Sequence, residues 1–149
     1  YLSPSDYNNI AWILYENKLN LKFSAELLRK SVKDDPTILA AWKNLQCVLA
    51  DLLEIDEGLA ISDQALKYFS NDPGIIMNRA KFLFMSGNIR ECTSYVMKEF
   101  SRAFGGNIQV AEIEEMMNQS FMKAGIKDIE SLEKIFKAMI QIQRSKLSK

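Results

Sequence analysis

Apolar residues recur along this chain at the spacing that collects side chains on one face of a helix. Ile10, Leu14 and Tyr15 form a first stripe, and Leu27, Leu28 and Val32 a second. Trp42, Leu45, Leu49 and Leu52 form a third, and Leu59, Leu66 and Phe69 a fourth. Recurrence at i, i+3, i+4 and i+7 predicts amphipathic helices rather than strands. The punctuation agrees. Each proline follows a residue able to cap a helix, at Ser3-Pro4, Asp35-Pro36 and Asp72-Pro73. A serine or aspartate at the N-cap bonds an orphan backbone N–H, and proline in the first helical position loses no hydrogen bond. These pairs predict three helix starts, 32 and 37 residues apart. Gly87-Asn88 reads as a break between two further helices, the glycine ending the first.

Spacing of that order calls for sliding the chain against itself. An offset of 34 places Asn44 on Asn78, Leu49 on Leu83 and Glu57 on Glu91. One period earlier it places Tyr15 on Leu49, Ser24 on Gly58 and Ser31 on Ala65. The series Ser24, Gly58, Cys92 is the informative one. A small residue near the start of every second helix lets its backbone approach the preceding helix, as an antiparallel pair requires.

With these residues in place, the chain resembles the tetratricopeptide repeat family, whose pattern W-x₂-L-G-x₂-Y, A-x₃-F, P runs over 34 residues. The second unit shows Trp42-x₂-Leu45-Gln46-x₂-Leu49 and Gly58-x₃-Ser62, with Ala65 at the later small site. The first shows Trp12-x₂-Tyr15, Ser24-x₃-Leu28 and Pro36 in register. The third shows Ile76-x₂-Arg79-Ala80-x₂-Leu83 and Cys92-x₃-Val96. Trp12 and Gln46 stand where a small residue is usual, Ser62 replaces an aromatic, and Glu99 replaces a small residue. The repeats are therefore degenerate. The resemblance implies an all-α fold, a right-handed α-α superhelix (solenoid) of about four antiparallel helix pairs in a single domain over 1–149. Its repeats fall at about 5–38, 39–72 and 73–106. Beyond Gly105-Gly106, Ile108 to Ala124 and Ile129 to Met139 read as a fourth pair spanning 107–145, a worn repeat or a cap closing the stack.

Composition narrows the function. Apolar residues are 48% and charged residues 26%, as in ordinary globular domains, and three prolines with six glycines are too few for a turn-dense β-sandwich. Basic and acidic residues balance at 19 each, without the basic excess that a nucleic-acid binder uses against phosphates. Three positive charges between Gln141 and Lys149 fit a helix end better than a nucleic-acid tail. No stretch is apolar and long enough for a transmembrane helix. The chain starts at Tyr1, which suggests a fragment or a processed product. Cys47 and Cys92, with no C-x-x-C pairing, read as small core residues, the alternatives being a disulfide or a reactive thiol. They leave the compartment open, with a soluble cytoplasmic protein as the default.

Histidine is absent, and with it the commonest general base and metal ligand. Asp34-Asp35, Asp51, Glu54, Asp56 and Glu57, and Glu112, Glu114 and Glu115 cluster as carboxylates. Asp35 has its explanation in capping; the others sit at helix ends or on polar faces, where nothing would raise a pKa for catalysis. No phosphate-binding glycine motif or calcium loop occurs. The expectation is a non-enzyme without cofactor or metal, a protein-binding scaffold.

In the family the first helix of each pair lines the concave side. The resemblance therefore implies groove residues Asn9, Ile13, Glu16 and Asn17 from the first unit, and Lys43, Asn44, Cys47 and Asp51 from the second. Met77, Asn78, Lys81, Phe84 and Met85 follow from the third. Met77, Phe84 and Met85 would form an adaptable apolar pocket, or else pack as core against the fourth pair. The clamp by which some family members grip a chaperone's terminal carboxylate needs lysine and arginine where Asn9, Gly74 and Asn78 stand, so that role is not expected. The leading expectation is a module that takes a peptide or helix of another protein in its groove. The alternatives are an accessory region of a larger enzyme such as a glycosyltransferase, positioning substrate or mediating dimerisation, and a chaperone for secreted subunits.

Overall fold

The computed structural model describes residues 1–103 together with Glu115 and Gln119. Apart from Glu115 and Gln119, the expected fourth helix pair lies outside the described residues, as do Gly105-Gly106 and the basic tail. Among those residues the protein is entirely helical: α1 Pro4–Glu16, α2 Leu21–Asp34, α3 Leu39–Asp51, α4 Ile55–Tyr68, α5 Pro73–Met85 and α6 Ile89–Ala103. The chain divides into two compact units, Tyr1–Arg79 and Ala80–Lys149, with the boundary inside α5.

Local chemistry starts the helices. At α1, Ser3 Oγ accepts from Asp6 N at 3.2 Å while Asp6 Oδ2 accepts from Ser3 N at 2.8 Å, a reciprocal capping box with Pro4 behind it. The Ser3 N–H, with its hydroxyl, holds the Asp6 carboxyl below its usual range. Asn20 caps α2 through Phe23 N at 3.1 Å, and Asp72 caps α5 through Ile75 N at 2.9 Å. Asp35 departs from expectation. Its carboxylate accepts from Thr37 N at 3.0 Å and from Thr37 Oγ1 at 2.5 Å, closing a turn instead of a helix cap. A residue before proline is pushed to extended backbone, and Asp35 takes φ −144°, ψ 93°. Consequently α3 begins only at Leu39, where the N-cap residue Ile38 makes no side-chain cap bond.

The helix starts carry the period. Second helices begin at 21, 55 and 89, at steps of 34 and 34, but first helices begin at 4, 39 and 73, at steps of 35 and 34. The extra residue lies in the first loop. All three first helices end in the same Schellman arrangement, with a left-handed residue at Lys18 (φ 53°), Leu53 (φ 59°) and Gly87 (φ 83°). The bonds match: Lys18 N to Tyr15 O and Leu19 N to Leu14 O, Leu53 N to Ala50 O and Glu54 N to Leu49 O, Gly87 N to Phe84 O and Asn88 N to Leu83 O. Glu54 and Asn88 then serve at once as N-cap of the next helix. In the first loop Leu19 is followed by a separate N-cap, Asn20. Every position in α1 is therefore one residue earlier than a uniform period puts it. Ala11, not Trp12, matches Gln46 and Ala80, and Leu14, not Tyr15, matches Leu49.

Within the first unit, α1 packs on α2, α2 on α3 and α3 on α4, and α1 also lies beside α3. Ala11, Ala25 and Leu28 are fully buried in the first hairpin, as are Ala41, Leu45, Val48 and Leu49 in α3. The predicted stripe of α1 is corrected accordingly: Ala11 and Asn8 are its buried residues, and Ile10 is exposed. In α4 the buried line is Gly58, Ile61, Ser62 and Ala65. Trp42 donates from Nε1 to Pro36 O at 2.8 Å and stacks on Tyr68 at 6.1 Å, fixing the turn ahead of α3. The small series behaves as expected. Ser24 Oγ donates to Ala11 O at 2.8 Å, Gly58 is buried, and in the second unit Cys92 Sγ donates to Ala80 O at 3.2 Å.

Candidate partner-binding face

The register correction decides which side chains share a face. One position earlier in α1, the counterparts of Asn44, Cys47 and Asp51 are Asn9, Trp12 and Glu16. Ile13 instead matches Val48, so it stands off the face that the sequence assigned it to. The structure brings α1 and α3 side by side there. Asn44 Nδ2 donates to Asn8 Oδ1 at 2.9 Å, joining the two helices near their middles. Toward their ends, Tyr15 reaches Asp51. Burial first, then the hydrogen bond to Asp51 and its charge, push the Tyr15 phenol well above its ordinary value. The phenol is thus a protonated donor to Asp51 at every physiological pH. Trp12 lies against Tyr15 with ring centroids 5.0 Å apart and planes tilted by 33°. Both rings are half-buried, so each keeps an open side. Asn9 is exposed, and Lys43, Asn44 and Cys47 are half-buried.

The first turns of α5 extend this face. Lys43 Nζ stands 3.9 Å from Asp72 Oδ1, a long ion pair with the lysine 40% exposed. Asn78 Nδ2 donates to Gln46 Oε1 at 3.1 Å. Gln46 is fully buried and donates from Nε2 to Ser62 Oγ at 2.8 Å and to Ile75 O at 3.3 Å. Ser62 Oγ in turn donates to Gly58 O at 2.7 Å. Asn78 is therefore aimed by a chain of buried amides and hydroxyls that begins in α4.

The apolar end expected from the third unit is covered. Met77 is 2% exposed, Lys81 6% and Phe84 8%, while Met85 is half-buried. In this structure three of those four have too little surface to meet a partner. Sequence reasoning missed Asn8, Trp12 and Tyr15, because Trp12 was read as an occupant of the small site and Tyr15 as core. The signal was available: Asn9, Asn44 and Asn78 align at steps of 35 and 34.

Neither Cys47 nor Cys92 is held in a disulfide. Burial pushes the Cys92 thiol up to about 12, so it is a packing group rather than a nucleophile. Among the described residues no group of three or more aspartate, glutamate or cysteine side chains could hold a metal ion, and no helix is long and apolar enough to cross a membrane.

No family model and no curated protein matches the chain. Among solved structures, one titled "MamA D159K mutant 1" superposes with a TM-score of 0.57, covering 94% of this chain and 77% of that one at 15% identity. MamA is a tetratricopeptide-like protein. The fold here is a tetratricopeptide-like helical repeat. At 15% identity the likeness is one of architecture. The tetratricopeptide-like pairing accounts for what the geometry shows: first helices adjacent to one another, with a side-chain row shared between them.

Proposed function

We propose that the chain is a protein-interaction module that receives a segment of a partner protein on the α1–α3 face. The observation that supports this reading is the half-exposed pair Trp12 and Tyr15 beside the amides of Asn9 and Asn44. Rigid aromatic rings supply contact area at little cost in side-chain entropy, and asparagine amides can both donate to and accept from a peptide backbone. Lys43, Glu16 and Asp51 place charges of both signs on the face, which suits a partner segment without strong net charge. The chemistry of the face is that of holding. Its one strongly shifted group, Tyr15, is shifted toward staying protonated.

Wild-type chain and the double variant Trp12→Ala/Tyr15→Ala, used in parallel as baits in native extract and then titrated with each captured protein, test the proposal. Truncated aromatic anchors in a desolvated contact should weaken binding at least roughly tenfold, about 1.4 kcal/mol. Lys43→Ala should mainly change on-rate and salt dependence. A folded double variant that binds the same partner with unchanged affinity contradicts the proposal.

A further inference from the structure

The α1–α3 face carries its charge unevenly. The two helices run parallel across it: Asn8 meets Asn44, and further along both helices Tyr15 meets Asp51. Both helices therefore end on the same side of the ring pair Trp12 and Tyr15. A helix C-terminus holds a partial negative charge that a basic side chain in the last turn offsets. The second helices follow this rule, with Lys33 in α2, Lys67 in α4 and Arg102 in α6. The first helices of the face do not. Neither α1 nor α3 has a basic residue in its last turn, and they close on carboxylates, Glu16 and Asp51. Both carboxylates are exposed, and among the described residues neither forms an ion pair, even with Lys18 just beyond α1. Lys43 stands nearer the helix starts, and Asp72 already meets its charge.

The carboxylates flank the rings. Glu16 lies one turn beyond Trp12 on the same side of α1, and Asp51 accepts from the Tyr15 phenol. A carboxylate has about four acceptor sites, so Asp51 keeps others for a second donor. The half-buried indole of Trp12 keeps an open side. An indole face attracts a cation, and a guanidinium suits it best, stacking flat while its edge donates to carboxylates. Resting on the reading that this face receives a protein segment, we propose that the segment presents an arginine at the helix ends. Its guanidinium lies over the open side of Trp12, and its N–H groups are directed to Glu16 and Asp51. A lysine would supply the charge without the flat stacking or the forked donors.

A phage-displayed library of random heptapeptides between constant flanks, panned on the 149-residue chain, tests this. Selected peptides are synthesised and titrated while the indole N–H resonance of Trp12 is followed, so that only peptides bound at the face are counted. These should carry arginine, in preference to lysine, at least roughly three times as often as the unselected library. Replacing that arginine by glutamine should weaken binding at least roughly fivefold, a result that needs no variant of the protein. Glu16→Gln/Asp51→Asn should weaken the arginine peptides by a similar factor, reduce their salt dependence and leave the glutamine peptides unaffected. Face-bound peptides without the enrichment, or indifferent to the neutralised carboxylates, overturn the arginine while the reading of the face stands. A library that yields no peptide perturbing Trp12 overturns both.

Discussion

The first and second hairpins occupy the same architectural positions with opposite side chains. In the first, Ala11 is the small residue at the helix crossing and Leu28 the large one facing it, both fully buried. In the second, their counterparts are Gln46 and Ser62, also fully buried, so the large and small positions have changed places and both have become polar. The third hairpin returns to the first arrangement with Ala80 and Val96. Volume is thus conserved across the crossing while its chemistry is not. Burying two polar side chains is tolerated because each is satisfied: Gln46 bonds Ser62, Ile75 and Asn78, and Ser62 bonds Gly58. The degeneracy that sets the second repeat apart from the family pattern is one exchange rather than two independent losses.

The largest effect should come from breaking that exchange on one side. Gln46→Ala leaves a cavity and removes partners from Ser62 and Asn78. It should cost about 2–4 kcal/mol in urea unfolding, more than Asn44→Ala, whose amide is half-buried. A cost near zero would show that water enters and replaces the amide. Next comes Gly58, the small residue that Ser24 and Cys92 match. Gly58→Leu should destabilise by about 1–3 kcal/mol through overpacking. An unchanged melting temperature would place the helix contact elsewhere.

The loops allow a finer comparison. Leu53 and Gly87 hold the same left-handed position, but a β-carbon there costs about 1–2 kcal/mol, and Leu53 is 71% exposed, so its side chain returns little. Leu53→Gly should therefore raise stability by up to about 1 kcal/mol and Gly87→Ala lower it by a similar amount. Stabilisation by both, read from melting temperatures, would refute the shared cap geometry.

The smallest effect concerns the ion pair between hairpins. Hydrogen bonding from Arg29, opposed by burial, holds the Glu57 carboxyl below its ordinary 4.5. A depressed carboxyl contributes stability above its unfolded pKa and loses it as pH falls through the folded value. Both side chains are more than a third exposed or close to it, so the contribution is below about 1 kcal/mol. Glu57→Gln should flatten the acid side of the stability profile slightly and leave its alkaline side alone. An unchanged acid limb would mean the pair is screened out.

Much of the architecture was legible. Helix periodicity, the 34-residue step of the second helices and the buried small series can each be read from the residues. Three things were not, for physical reasons. A cap residue followed by proline writes the same letters whether it opens a helix, as Asp72 does, or closes a turn, as Asp35 does. The single inserted residue at Leu19-Asn20 moves α1 by 100° around its axis without disturbing its apolar content, so Tyr15 aligned as plausibly with Leu49 as Leu14 does. In α5 the run Ile75, Ile76, Met77, Ala80, Phe82, Leu83 and Phe84 is apolar on nearly every side, and a helix of that kind has no stripe to say which side is covered. The candidate face suffered most, since it depends on register. The uniform period set Asn9 against Lys43, whereas the helix starts set it against Asn44, and Trp12 and Tyr15 join the proposed face only in that register.

The exchange between the hairpins can be tested by reversing it. Gln46→Ala/Ser62→Leu installs the first hairpin's pair in the second, and a double-mutant cycle by urea unfolding measures the coupling. Replacing both partners of a buried hydrogen bond by apolar groups of fitting shape can be nearly neutral, whereas each single change leaves a cavity or an overpacked, unpaired amide. The double variant should be less destabilised than the sum of its singles by about 1–3 kcal/mol. Strict additivity would contradict the account, because it would mean that Gln46 and Ser62 do not share one volume.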